Sequence, residues 1–410
     1  MTGETSPPTA AGATDGSRAG YLRELVPLLW PAPATATVGR ARHADADRSY
    51  LILPSLAAPR LLVPRRPRRS AGAALLGYGE QASRLRRAAV RSAAAALSAG
   101  AGDLLLPDRL EVAGAGTVED HLSRQLGLPV LVSLHLGPAR ANRKPVLQLL
   151  DGAGRAVGFA KVATTPLARE LVHAEAAGLR RLAAAGTRHV TPPAVLHAGR
   201  WNGLEVLVQS PLPVRQPRRP SVERLAAAVA EIAAIDGVRT EPLGGGAYLA
   251  GLRDRVAALP VGDLREGLAG ALDELADRSA AVPVDIGSWH GDWTPWNTAV
   301  VADTVLAWDW ERFGAGVPVG FDALHYDLQP RALGRVDQAG IAAADLVYRA
   351  RALLAPLGVA ASSAPVVAVL YLVEILTRYV GDGQTRWGNW RTATEGVLAA
   401  ARAAAPLVPR

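Results

Sequence analysis

The stretch SWHGDWTPWNTAVVADTVLAWDWERFG, Ser288–Gly314, gathers one histidine, several carboxylates, one asparagine and five of the chain's nine tryptophans. TAVV and VLAWDW read as the two strands of a hairpin with Asp303 in its turn. Such a hairpin brings the HGDWTPWN loop and Asp309 to the same end. Asn297 and Asp309 then offer hard oxygen ligands suited to Mg²⁺, which keeps waters and bridges phosphates. Asp292 is left to orient a hydroxyl group and take its proton, the division of labour that phosphoryl transfer requires. The same stretch permits another reading, in which His290 and Asp292 join Asp322, His325 and Asp327 in a dinuclear hydrolase centre. On the returning strand Trp308 and Trp310 would share one face, opposite Asp309. Core packing is the default for such rings, while Trp293 or Trp296 could stack on an acceptor ring.

These residues need a frame. A chain of 410 residues, 49% hydrophobic, has enough apolar surface for two or three domains or lobes. The pattern predicts a disordered leader over residues 1–20 and a separate region over 21–117, with short strands at TATVGRA, SYLILPS and RLLVPRR. A single Ala/Arg/Leu helix is expected from Ser70 to Ala99, ended by Gly100 and Gly102. From Thr117 the rhythm changes. Thr117 caps a helix with Asp120 three residues on, and PVLVSLHLG, KPVLQLLD and AVGFAKVA read as strands. A helix follows over Pro166–Ala185, then the strand LEVLVQS. Residues 118–213 thus form a small, mainly β part and residues 214–410 a larger, mainly helical one.

Composition excludes several classes. With no cysteine there are no disulfides, thiolate metal sites or cysteine nucleophiles, which fits a reducing compartment and a cytoplasmic protein. The N-terminus lacks the basic and apolar regions of a signal peptide. The most apolar window, Ala364–Leu376, is short for a membrane span and contains Glu374, so a buried helix is expected. The formal charge of +8 sits in arginine clusters at 65–69, 84–91 and 215–219. Without a helix-turn-helix, zinc-finger or RRM pattern these read as solvated surface, and nucleic acid is disfavoured as a partner.

HGDWTPWN followed by AWDWERFG resembles the aminoglycoside phosphotransferase/choline kinase group, within the protein-kinase-like fold. The resemblance covers roughly residues 117–400 and implies an α+β, two-lobed architecture: a β-rich nucleotide lobe with its hinge, then an α-rich catalytic and acceptor-binding lobe. Region 21–117 lies outside it as an accessory α/β domain. By resemblance Asp292 is the catalytic base, Asn297 and Asp309 hold Mg²⁺, His290 braces the loop, and Asp322 in GFDALHY is a structural buttress. A kinase also needs a lysine on its third strand and a helix glutamate to position it. AVGFAKVA supplies Lys161, and HAEAAGLRRL supplies Glu175, with Glu170 as the alternative partner. Lys161 is one of only two lysines beside 43 arginines, and arginine does not replace lysine at a point-charge site.

The family's hinge falls at Gln209–Leu212, where Pro211 has no N–H, so an adenine donor must be Ser210 or Leu212. Where kinases carry a Gly-rich loop this chain has LGPARANRKP, whose Arg140, Arg143 and Lys144 either contact phosphate or form an ordinary basic turn. The expected activity is MgATP-dependent transfer of the γ-phosphoryl group to a hydroxyl of a small molecule, with GTP as a possible donor. Residues 313–410 carry seven acidic residues against nine arginines, which points to a neutral or anionic acceptor rather than a polycation. Glu374 and Arg378 are spaced to pair with each other or to meet the acceptor, and Trp387, Asn389 and Trp390 could wall its pocket. The competing class is a nucleotide-binding pseudokinase or an interaction protein using the basic N-terminal region.

Overall fold

The computed structural model describes residues 18–40, 45–79, 84–137, 142–214, 220–332, 339–383, 395 and 398–399. The leader before residue 18, Arg140, the arginines at 215–219 and the Trp387–Trp390 wall lie outside them. The chain is α+β, as expected, and divides into two compact units. One is built mostly from residues up to 155, the other mostly from residue 156 onward together with 142–144.

In the first unit, helix α1 (Arg18–Leu29) buries Leu22, Leu25 and Leu29 completely. Strands β1 (Thr35–Gly39), β2 (Arg48–Leu53) and β3 (Leu61–Pro64) follow. Within the helix expected over Ser70–Ala99, the described residues form α2 (Arg68–Gly79) and α3 (Arg84–Ser98); residues 80–83 lie outside the described residues. A short α4 (Gly102–Leu105) precedes β4 (Arg109–Ala113) and α5 (Val118–Leu126). Helix α5 opens on the expected capping box, Thr117 with Asp120, and closes on left-handed Gly127. Strands β5 (Leu131–His135) and β6 (Val146–Leu150) complete an antiparallel order β1-β4-β2-β3-β5-β6. Because β3 pairs with β5, Leu61 opposite His135, one sheet runs across the boundary expected at Thr117. The apolar β3, buried along its whole length, has no core of its own and takes β5 as its neighbour.

The second unit begins with β7 (Ala156–Ala163), α6 (Pro166–Ala185) and β8 (Val190–Thr191), followed by β9 (Val195–Trp201) and β10 (Leu204–Gln209). Strand β10 lies between β7 and β9, antiparallel to both, and places Leu207 opposite Lys161. Helix α6 is bounded as its sequence predicts, by Thr165 as N-cap, Pro166 in the first turn and left-handed Gly186 at the end. Helices α7 (Val222–Ala233), α8 (Ala247–Ala257) and α9 (Asp263–Ser279) follow, with β11 (Arg239–Pro242) between the first two. Strands β12 (Pro283–Trp289), β13 (Thr298–Val301), β14 (Thr304–Ala307) and β15 (Gly314–Pro318) carry the site segment. The order β11-β12-β15 makes one small sheet and β13-β14-β8 another.

Helices α10 (Phe321–Ala332), α11 (Ala339–Leu354) and α12 (Ala364–Gly381) supply most of the core. Helix α12 is long and apolar enough to cross a membrane by length and composition, beyond the window read from the sequence. It is buried nearly throughout, between α8, α9, α10 and α11. That burial makes it the central helix of the unit.

Candidate active site

Strand β12 ends at Trp289 and delivers His290, Gly291 and Asp292 into a tight turn. Gly291 has φ +81°, and a Cβ there would stand 2.4 Å from the Arg312 carbonyl oxygen, so backbone sterics demand glycine. The turn is gripped from the helical core. The His290 and Gly291 N–H groups donate to the two oxygens of Asp322 at 2.7 and 3.1 Å. Arg378 on α12 donates to the Gly291 carbonyl at 2.5 Å and lies over the Trp289 ring. Burial pushes the Asp322 carboxyl up to about 7, against the pull of those two N–H groups and of Arg378.

His290 is fully buried, 4.3 Å from Trp310 and 5.5 Å from Trp293 between ring centroids. Its Nδ1 accepts the Asp292 N–H at 3.1 Å, and its Nε2 lies 3.0 Å from the Trp308 carbonyl. Only the neutral tautomer protonated on Nε2 satisfies both partners. Burial lowers its pKa to about 4, outweighing the favourable pull of Asp292 and the Trp308 carbonyl. The folded value lies below the ordinary 6.5, so the stabilisation is present above pH 6.5 and is lost as pH falls toward 4. That interval corresponds to about 3 kcal/mol. Thermal unfolding between pH 7 and pH 4 should therefore show a shallower pH dependence for His290→Gln than for wild type.

Asp292 and Asn297 meet directly. The Asn297 Nδ2 donates to Asp292 Oδ2 at 2.8 Å and to its carbonyl at 3.0 Å, which leaves the amide oxygen available to a cation. Asp292 Oδ1 receives the buried His325 Nε2 at 3.1 Å. Burial works to raise the Asp292 carboxyl, but the His325 hydrogen bond and charge, then Arg378 and His290, hold it below the usual range. Its side chain stays 39% accessible, so a hydroxyl can approach.

Asp309 does not end a strand, as the VLAWDW pattern suggested. Strand β14 stops at Ala307, Asp309 is left-handed at φ +63°, and Trp310–Arg312 form a 3-10 turn. Trp308 and Trp310 therefore do not share a strand face. Trp310 turns into the core, where its indole N–H donates to the Ala307 carbonyl at 2.8 Å. Strain at Asp309 marks a site held by its surroundings. Its Oδ1 lies 2.6 Å from Lys161 Nζ, and the same ammonium reaches Glu175 at 2.5 and 2.7 Å. Lys161 is 4% exposed and Glu175 fully buried. Glu170 is exposed, so Glu175 is the partner. Burial opposes the Lys161 charge, but Asp309, Glu175 and Glu311 outweigh it and hold the ammonium well above its ordinary pKa. The same contact, with Lys144 second, outweighs burial at Asp309 and brings it to about 2.

The chain's other lysine joins this cluster. Lys144 pairs with Glu311, which also accepts from Asn142 at 3.3 Å. Of the two hinge residues, Ser210 is already engaged, because its N–H donates to the Ala194 carbonyl at 2.8 Å. Among the described residues the Leu212 N–H makes no hydrogen bond, so Leu212 alone of the pair can serve adenine. Trp293 is fully buried and cannot stack on an acceptor, whereas Trp296 is 36% exposed. Asp327, the third carboxylate of the hydrolase reading, is turned away into ion pairs with Arg331 and Arg349. Glu374 does not pair with Arg378. It accepts from Arg255 at 2.6 Å and the Tyr248 hydroxyl at 2.9 Å. These groups, with Arg239, Trp289 and Gly316, line a cavity of about 420 Å³.

Sequence reasoning set His325 beside Asp292 only in the hydrolase reading, not as a partner of the base, and it missed Arg378 as a neighbour of the turn. A signal for His325 existed, since it lies one helical turn beyond Asp322 and so on the same face of α10. Arg378 had no such signal, because its partner is a backbone carbonyl.

Comparison with curated proteins finds no significant match. Among solved structures, the chain is similar to a thermostable mutant of the aminoglycoside phosphotransferase APH(4)-Ia in ternary complex with ADP and hygromycin B. Identity is 15%, over 70% of this chain and 98% of that one, with a TM-score of 0.45. It is also similar to the choline kinase LicA from Streptococcus pneumoniae, at 14% identity over 70% and 98% of the two chains, TM-score 0.45. An amicoumacin kinase in complex with AMP-PNP and Ca²⁺ matches at 12% identity over 68% and 89%, TM-score 0.40. The model of the phosphotransferase enzyme family matches residues 140–366, more than half of the 410 residues, and the chain belongs to that family.

Proposed function

We propose that this phosphotransferase is a small-molecule kinase that moves the γ-phosphoryl group of MgATP to an acceptor hydroxyl in the cytoplasm. The observation that carries the reading is the buried Lys161, held by Glu175 and Asp309 at 2.5 to 2.7 Å in the same unit as the Asp292–Asn297 pair. In this reading residues 118–213 bind nucleotide, residues 214–410 carry catalysis and the acceptor, and residues 21–117 are accessory.

Lys161 is the point charge for the nucleotide phosphates, kept protonated by its carboxylate neighbours. The Leu212 N–H is the hinge donor to adenine. The donor set suits a hard cation: the Asn297 amide oxygen and the Asp309 carboxylate, ionised at about 2, would hold Mg²⁺. When bound, that ion neutralises charge on the transferring phosphoryl group. Asp292 orients the acceptor hydroxyl and takes its proton, and His290 with Asp322 fixes the turn that presents it. The cavity beside Trp289 is the acceptor's place in this reading. Its Arg239 and Arg255 set against Glu374 support a neutral or anionic compound over a polycation.

Thermal-shift titration of wild type and Asp309→Ala with ATP or GTP, each with and without Mg²⁺, tests the nucleotide assignment. A nucleotide at a hundredfold excess over its Kd should stabilise wild type by about 2.7 kcal/mol. The shift should need Mg²⁺ and weaken in Asp309→Ala. No shift with either nucleotide would remove the kinase reading, and a shift without turnover of any acceptor would favour a pseudokinase.

A further inference from the structure

We infer that His325 is a positioning residue for phosphoryl transfer, the middle of a buried chain from Tyr371 to Asp292 that fixes the orientation of the base. The inference rests on the reading of Asp292 given above. Both nitrogens of His325 are engaged, Nε2 with Asp292 Oδ1 at 3.1 Å and Nδ1 with the Tyr371 hydroxyl at 2.9 Å. His325 and Tyr371 are both fully buried, their rings edge to face at 86°.

The polarity of this chain follows from hydrogen-bond inventory. An ionised carboxylate only accepts, so Nε2 carries the proton. In the neutral imidazole Nδ1 is then an acceptor, and the Tyr371 hydroxyl must donate to it. Burial, which disfavours charge on both side chains, supports this assignment: it lowers the His325 pKa and raises that of Tyr371. On the other side of the carboxylate, Asn297 Nδ2 donates to Oδ2 at 2.8 Å. The carboxylate plane is thus clamped through both oxygens, and the lone pairs that remain serve the acceptor hydroxyl.

A packing role alone does not account for this arrangement. Replacing both partners of a buried polar pair by apolar groups of similar shape is close to neutral for stability. A Leu–Phe pair would therefore fill this part of the core as well. What it would not supply is a donor aimed at Asp292, and small misplacements of a reacting group cost large factors in rate. Asp322 and His325 leave the same face of α10, so one helix grips both the backbone of the turn and its reactive side chain.

The test compares full-length wild type, His325→Leu, His325→Gln, Tyr371→Phe and Asp292→Ala, reading ADP release from MgATP with water as the acceptor. His325→Leu should lower kcat about 10–100-fold, the range seen when an orienting hydrogen bond to a reactive group is lost. KM for MgATP should stay unchanged. His325→Gln, which keeps an amide donor, should recover most of the rate. Wild-type kcat in His325→Leu, or a joint loss of kcat and KM that glutamine does not repair, would overturn the inference.

Asp292→Ala separates the two levels: wild-type ADP release from it removes the base assignment itself. An inactive Asp292→Ala beside a fully active His325→Leu removes only the role of His325. Should His325→Leu fail to fold, nitrogen NMR of the imidazoles in wild type and Tyr371→Phe decides. A neutral His325 protonated on Nε2 in wild type, with the proton shifting toward Nδ1 in Tyr371→Phe, is expected. A wild-type ring protonated on Nδ1 would contradict it.

Discussion

Asp292→Ala is expected to lower γ-phosphoryl transfer by about 10²–10⁴-fold, the usual contribution of a general base, with MgATP affinity retained. The separation follows from the geometry. Asp292 contacts Asn297 and His325, while Lys161, Glu175 and Asp309 form their own hydrogen-bonded cluster. Removing the carboxylate leaves the His325 donor and one Asn297 N–H without their acceptor, while Asn297 keeps the Asp292 carbonyl; at 39% exposure water can replace the lost oxygens, so the protein should remain folded. Asp292→Asn is a poorer control. Its amide can accept from one of the two donors and must present its own N–H groups to the other. Kinetics at saturating MgATP, beside a nucleotide-binding isotherm, reads both halves of the prediction.

Lys161→Met should fail in a different way, by losing nucleotide affinity and stability together. The ammonium is 4% exposed, and its removal leaves the fully buried Glu175 with only a neutral donor, the Trp310 N–H at 3.2 Å, among the described residues. Removing one member of a buried ion pair costs about 3–5 kcal/mol, because the other charge is left uncompensated. Adding Glu175→Gln to Lys161→Met should restore much of that stability without restoring nucleotide binding. Lys161→Arg should not rescue either property, since a planar guanidinium does not fit a point-charge site. Urea unfolding of the single and double variants checks the stability, and the MgATP thermal shift checks the binding. Equal stability of Lys161→Met and wild type would mean that the ion pair is not buried as described.

Legibility of the sequence depended on where each structural cause lies. Caps and turn glycines act over a few residues, so Thr117 with Asp120 and the whole of Pro166–Ala185 could be read directly. The Lys161–Glu175 pair was legible because strand β7 and helix α6 are adjacent in the chain and lysine is scarce. Alternation, by contrast, overextended β14, since nothing local signals that Asp309 turns left-handed under tertiary constraint. Ser210 passed as a hinge donor because its bond to Ala194 arises only when β9 and β10 are paired. Arg378 reaches the turn from 87 residues beyond Gly291, Tyr371 reaches His325 from 46 residues beyond it, and no spacing rule connects these pairs.

The most direct measurement is transfer of label from γ-labelled ATP to a pool of hydroxylated small molecules, by wild type and by Asp292→Ala that still binds MgATP. The account predicts a labelled phosphate ester with wild type and none with Asp292→Ala. The same ester formed at the wild-type rate by Asp292→Ala would contradict it.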